Sequence, residues 1–436
     1  MQLARLGFYF FQKLKGDLRM QRNAFTAALL LITPCLFLSP ILADDEVEEK
    51  KQEKLSRSIN DFSFALNQQF TAGSSDNTLF SPYSLFSSLS LLYAGARTDT
   101  AAQIAKTLCL QLDAKDLSEQ MAKLQKKLKA PKQDGSFTLR IANALWLDRD
   151  SYILSDFRHI AEVQFEAKVE SLNFADEERS RSIVNEWTSN QTDGKITNLL
   201  QMGDISSSTR LLITNALFFD GTWQKPFDPK NTKAYPFNPT SDDSTTMMMM
   251  EQTGFFPYYE TEGVQILSLP FKAIGVTANI TCLILLPEKT SSLSSLTSSL
   301  TSFGFKQWLE GLDNRNVHMR IPKFTITARN DLNDPLQQLG MQIPFTPKAN
   351  FSGINGMQDL YLSKVIHQAY FLIDEKGACA SAASAAALNL KSTGPSKEAP
   401  FEFIVDRPFL FALVDINTGS ILFLGSFSTP KTGNDP

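Results

Sequence analysis

Cysteine is scarce in this 436-residue chain, with 4 in all. Cys35, Cys109, Cys282 and Cys379 are too widely spaced for a disulfide framework or a zinc set. His159, His318 and His367 are scattered, and the chain has no H-E-x-x-H and no G-x-S-x-G elbow. No catalytic residue, metal ligand or cofactor is therefore expected, and an enzyme is disfavoured. Excess basic charge is also absent: 42 Lys+Arg against 46 Asp+Glu give a net −4, so no global field invites nucleic acid. No long Pro/Gly or charged linker interrupts the middle of the chain. Length alone suggests two or three domains, but that continuity argues for one.

An uninterrupted apolar run of about 20 residues, as a membrane helix requires, is missing too. The nearest approach, Ala24 to Phe37, is broken by Thr33 and Pro34 and followed by Ser39 and Pro40. With Arg22 before it and small or turn residues up to Ala43, it reads as a secretory signal cleaved before Asp44. Residues 1–43 are then leader and signal peptide, with Met1 or Met20 as the start, and 44–54 a charged linker. The protein is expected outside the cytoplasm, extracellular or periplasmic, without a membrane span. Cys109 and Cys282 sit in apolar runs and read as core, whereas Cys379 reads as an accessible thiol.

With 43% hydrophobic and 20% charged residues the remainder is of ordinary globular composition. Helical spacing marks Leu117, Met121, Leu124 and Leu128, and again Leu293, Leu296, Leu300 and Phe303. Strand character marks 136–147, 210–219, 279–287 and the pair FLFALVDI and SILFLGSF joined by a turn at Asn417 to Gly419. Helices dominate early and strands late, which argues for α+β with a large, mainly antiparallel sheet.

The most distinctive stretch runs from Asp374 to Lys391, an acidic pair, a lysine and a glycine leading into alanine and serine. At strand period Ala378, Ala380, Ala382, Ser384 and Ala386 share one face, with Cys379, Ser381, Ala383, Ala385 and Ala387 on the other. Taken alone the run fits a flexible linker or a helix. Its flanks are strands, LSKVIHQAYFLI before it and the C-terminal pair after it.

Here the chain resembles the serpin family, from about Leu55 to Pro430. LFSPYSLFSSLSLLYAGARTDTAAQI (79–104), VNEWTSNQTDGKITNLL (184–200), TRLLITNALFFDGTWQKPF (209–227) and the methionines Met247 to Met250 carry the resemblance beside the loop. It implies the serpin fold, a large central sheet with helices, further sheets and an exposed reactive-centre loop at about 376–400, with 431–436 a short tail. It also implies the role of the small-residue run. Glu375, Lys376, Gly377, Ala378, Cys379, Ala380, Ser381, Ala382 and Ala383 correspond to the hinge, and counting from Glu375 puts the reactive bond at Lys391–Ser392.

The resemblance further implies a suicide-substrate inhibitor of a serine endopeptidase, working as a monomer and trapping the acyl-enzyme when the cut loop joins the sheet. A lysine before the bond suits a trypsin-like enzyme; Leu390 is the other placement and suits a chymotrypsin-like or elastase-like one. Lys397, in a segment longer than the family's usual, is expected to be a substrate site. Ser81, Ser84, Asn215 and His367 match the family's shutter, and Trp223, Lys323 and Glu375 its breach. Lys123, Lys126, Lys127, Lys129 and Lys132 lie where some members bind polyanions, though the first four also fit a plain solvated face. The rival function is a non-inhibitory member, a carrier, chaperone or decoy substrate. Its loop would be expected to carry bulky, charged or proline residues in the hinge, and this one has none.

Overall fold

The computed structural model describes residues 24–72, 76–129, 137–149, 151–240, 243–272, 279–378 and 399–430. Contacts divide the chain into Met1–Lys50 and Lys51–Pro436. Helix α1 is Ala24–Thr71, so residues 44–54, expected as a linker, are helical. Charge pairing at helical spacing supports them: Lys50 Nζ lies 2.7 Å from Glu46 Oε1, four residues back. Among the described residues no helix is long and apolar enough to cross a membrane.

In the larger unit β1 is Thr78–Phe80 and α2 is Pro82–Gly95. Ser81 caps α2 and Pro82 opens it, as expected where an unpaired N–H is tolerated. The helices α3 (Thr98–Thr107) and α4 (Ala114–Lys129) follow. Leu117, Met121, Leu124 and Leu128 are all buried on α4, as their spacing requires. Next come β2 (Phe137–Asp148), α5 (Ser155–His159), β3 (Lys168–Leu172), α6 (Glu177–Gln191) and β4 (Leu211–Thr222).

The chain continues through β5 (Lys233–Phe237), β6 (Thr245–Thr261), β7 (Val264–Pro270) and β8 (Ile280–Pro287). The periodicity at Leu293 to Phe303 divides into two helices, α7 (Leu293–Ser299) and α8 (Ser302–Glu310). Leu300 turns extended and the Thr301 side chain accepts from the Gly304 N–H, capping a new helix. That re-phasing leaves Phe303 69% exposed and puts Phe305 in the core instead. After β9 (Asp313–Pro322), β10 (Phe324–Asp331), α9 (Asn333–Gln338) and α10 (Ser352–Asn355), the chain enters β11 (Leu362–Ile373) and β12 (Gly377–Ala378). It ends with β13 (Phe401–Ile404), β14 (Phe409–Asp415) and β15 (Ser420–Phe427).

Among the described residues two sheets result, of six and nine strands. The larger runs β1-β15-β14-β8-β7-β6-β9-β13 with β5 also on β6. The smaller runs β10-β11-β12-β4-β2-β3. Phenylalanines fill the space between them: Phe371 of β11 stacks on Phe411 of β14 at 5.1 Å, and Phe324 of β10 lies against Phe409, Phe411 and Phe427. Truncating one such ring to alanine typically costs ~3–5 kcal/mol. Cys282 lies in this core, but Cys109, expected there, is only half-buried and holds φ at +51°.

Candidate functional site

One seam of the six-stranded sheet differs from its neighbours. β11 and β4 pair in parallel, from Leu362 opposite Leu211 to Tyr370 opposite Phe218, while β10 on β11 and β2 on β4 are antiparallel. Parallel partners are slightly less stable per residue. A strand entering between them in the opposite direction would replace one parallel ladder by two antiparallel ones.

The top of that seam is already entered. Gly377 and Ala378 form β12, antiparallel to Thr222 and Gly221 of β4, with Ala378 also opposite Ile373 of β11. Ala378 is fully buried in the main core. Continuing the register of Ala378 on Gly221 along β4 would bring residue 388 opposite Leu211 at its far end. Cys379, Ala380, Ser381, Ala382, Ala383, Leu390, Lys391, Ser392 and Lys397 lie outside the described residues.

The turn from β11 into β12 is fastened from several directions. Lys323 Nζ lies 2.8 Å from Glu375 Oε2, and the Thr232 hydroxyl donates to Oε1 at 2.8 Å. Trp223 donates its indole N–H to the Asp374 carbonyl at 2.9 Å and its backbone N–H to Lys376, while its ring stacks on Phe271 at 4.4 Å. The structure thus brings Trp223, Lys323 and Glu375 together. Burial opposes the charge on Glu375, but hydrogen bonds from Lys323, the local backbone and Thr232 outweigh it and hold its carboxyl below the usual range.

A second cluster lies midway down the seam, where β4, β11 and α2 meet. The Ser81 N–H donates to His367 Nε2 at 2.9 Å, so that nitrogen carries the lone pair and Nδ1 the proton. Nδ1 then donates to Asn215 Oδ1. The Asn215 amide in turn reaches Ser84 Oγ, Ser88 Oγ at 3.1 Å and Asn143 Oδ1. Ser84 also donates to Asn143 at 3.0 Å, and Ser81 donates its hydroxyl to the Leu422 carbonyl at 2.7 Å. Ser81, Ser84, Asn215 and His367 are all fully buried. Desolvation drives the His367 imidazole down to about 3, partly offset by its bond with Asn215.

Three partners were missed at the sequence level: Asn143, Ser88 and Thr232. Asn143 had a signal, since IANALW in β2 and ITNALF in β4 place their asparagines directly opposite one another. Thr232 had none, lying 143 residues from Glu375. Of the expected polyanion lysines, Lys127 is engaged with Gln52 at 2.9 Å, and Lys132 is outside the described residues.

The family model described as serpin (serine protease inhibitor) matches residues 57–430. Serpin B3 of Homo sapiens is 32% identical over 394 residues, covering 86% of this chain and 99% of that protein. The leukocyte elastase inhibitor of Sus scrofa is 32% identical over 375 residues, covering 84% and 96%. The crystal structure of human thyroxine-binding globulin superposes with a TM-score of 0.78 at 28% identity, covering 88% of this chain and all of that one. One fold thus holds proteins named for inhibiting an elastase and for binding thyroxine.

Proposed function

Because the chain belongs to the serpin family of serine protease inhibitors, we propose that it inhibits a serine endopeptidase as a suicide substrate, with Lys391–Ser392 as its reactive bond. The observation that carries this reading is β12, the hinge lodged at the top of a parallel seam with small residues following it. The protease serine attacks the Lys391 carbonyl, the Ser392 amine leaves, and Lys391 is held as an ester on the enzyme. The freed end then extends β12 down the seam between β4 and β11, displacing their parallel pairing and carrying the tethered enzyme with it. Strand addition and stored-strain release of this kind are general serpin behaviour that the handful of seam residues here accommodates. Lys391 favours a trypsin-like target, whose specificity pocket carries an aspartate.

The hinge also disfavours the carrier reading, because Ala378 to Ala387 carries no large or charged side chain. Secretion is proposed on the apolar segment before Ala43, and N-terminal sequencing of exported protein should begin at Asp44. The deciding experiment is incubation with trypsin, chymotrypsin and elastase, followed by denaturing gels and sequencing of the released peptide. A covalent complex with trypsin and a peptide starting at Ser392 supports the proposal. Cleavage after Lys397 without any complex points to a substrate, and no complex with any enzyme to a carrier.

A further inference from the structure

The connector between α6 and β4, residues 192–209, lies across the seam that the proposed function requires to open. Its Ile196, Leu199, Leu200 and Ile205 pack in a second core with Ala142, Ala144 and Trp146 of β2, Leu212 and Ala216 of β4, and Ile366 of β11. On the β4 side it is tied to α6: Asn185 donates to the Leu200 carbonyl at 2.9 Å and accepts from the Leu200 N–H at 2.8 Å. On the other side it is tied to β10. Arg329 donates its Nε to the Leu199 carbonyl at 2.7 Å and pairs through Nη2 with Asp204. Both side chains are largely buried, at 20% and 12% exposure.

Arg329 stands opposite Gln368 of β11, and Gln368 opposite Ala216 of β4, so one row of the sheet crosses the seam directly beneath this strap. The Gln368 Oε1 there is buried without a hydrogen-bond partner. A strand entering between β4 and β11 moves Arg329 away from β4 by one inter-strand spacing, about 4.8 Å. The strap cannot follow without leaving its packing on β2 and β4. Buried charge-assisted bonds of this geometry do not stretch by that amount.

From this arrangement we infer that Arg329 and Asp204 form a latch holding the seam shut, whose breaking limits the rate of strand entry. The inference rests on the proposed insertion mechanism, and Arg329 acts as a positioning residue on β10, the strand beyond β11 from the seam. It also fixes a direction: the latch opposes entry below β12 while leaving Gly377 and Ala378 in place at the top.

The test uses the uncleaved full chain and a synthetic peptide of residues 378–391 as the entering strand, with uptake followed on native gels. Arg329→Met keeps the bulk and removes the latch; Asp204→Asn removes the charge at nearly unchanged volume and serves if the first variant folds poorly. Each should take up peptide about tenfold faster or more than wild type, the scale of one charge-assisted bond. The initial, non-covalent association with trypsin should not change. Val184→Ala is the control, since it loosens the α6 side of the same cluster without spanning the seam. Equal uptake by wild type and both latch variants overturns the inference. So does equal acceleration by Val184→Ala at the same loss of melting temperature. If no variant, nor wild type, accepts peptide, the seam does not open and the insertion reading falls with the latch. Peptide uptake by wild type with unchanged rates in the variants removes the latch alone.

Discussion

Gly377 packs so closely on Gly221 that a Cβ at position 377 would stand 1.8 Å from the Gly221 carbonyl oxygen. No rotamer relieves such a clash, because the obstacle is backbone. Glycine at 377 is what lets the hinge backbone lie flat on β4, and the pairing of Ala378 with Gly221 and Ile373 depends on it.

Gly377→Ala should therefore lift β12 from the seam while leaving the residues of the proposed reactive bond unchanged. Insertion then begins from an unseated hinge, and hydrolysis of the ester competes better. A rise of about 1.4 kcal/mol in the insertion barrier slows it tenfold, so more of the protein should be cleaved without trapping enzyme. Titration of trypsin with the variant measures this as inhibitor consumed per enzyme inactivated. An unchanged ratio would mean that the seated hinge is incidental.

Ala378 and Cys379 allow a sharper comparison. Ala378 is buried in the core on the face of β4 that also carries Leu217 and Phe219. Continuing the register puts position 379 beside Asp220, which is part-exposed on the opposite face. Ala378→Arg would bury an unpaired cation, at several kcal/mol, and should convert the protein to a substrate cut at Lys391. Cys379→Arg should leave trapping within about a few-fold of wild type, since its charge reaches solvent. Equal behaviour of the two variants would contradict the facing of the inserted strand.

His367 gives a pH dependence whose sign is fixed by burial. Its folded value of about 3 lies below the ordinary 6.5, so the folded state binds fewer protons than the unfolded one between them. The stabilising contribution is complete above about 6.5 and is lost as pH falls from there toward about 3. His367→Gln should be destabilised at neutral pH, and the gap from wild type should narrow on acidification. Thermal melts of both proteins across that window check the trend. A gap that widens at low pH would mean that the folded ring takes up a proton more readily than the unfolded one, against the Nε2 lone pair that accepts from the Ser81 N–H.

Much of this was legible in the sequence because the information was local. The burial of Leu117, Met121, Leu124 and Leu128 follows from helical spacing, and β4 and β11 from apolar strand composition. Phe303 failed because a threonine cap at 301 restarts the helical phase, and a run of leucines does not show that. The α+β class came from composition and order, whereas the members of the shutter and breach came from resemblance to other chains. Asn143 was signalled only by the matching IANALW and ITNALF segments, whereas Thr232 and the Arg329–Asp204 pair were beyond reach, since each joins segments distant in sequence through isolated polar contacts. Such contacts leave no periodic trace.

His318 sets the last expectation, at the strand that follows the proposed reactive loop. On β9 it is flanked by Glu251 of β6, 2.8 Å from Nε2, and Glu402 of β13, 2.9 Å from Nδ1. Arg320 of β9 and Tyr235 of β5 also reach Glu251, so Glu251 keeps partners when the imidazole changes state and Glu402 does not. Desolvation disfavours the imidazolium, but the two carboxylates outweigh it and raise its pKa above 6.5; Glu251 is correspondingly held down at about 2. Protonated, the ring donates to both acids. Neutral, it has one N–H, and one carboxylate faces a lone pair. The tie is therefore complete below pH 6.5 and is lost as pH rises through the raised pKa. β13 has four residues and, among the described strands, pairs with β9 alone, so it should loosen first. With Glu402 well exposed, the tie is worth under about 1 kcal/mol, a few-fold change in opening. Amide exchange at Phe401 to Ile404, corrected for the intrinsic effect of pH, should show that step in wild type and not in His318→Gln. A step of equal size in the variant would assign the loosening to some other group.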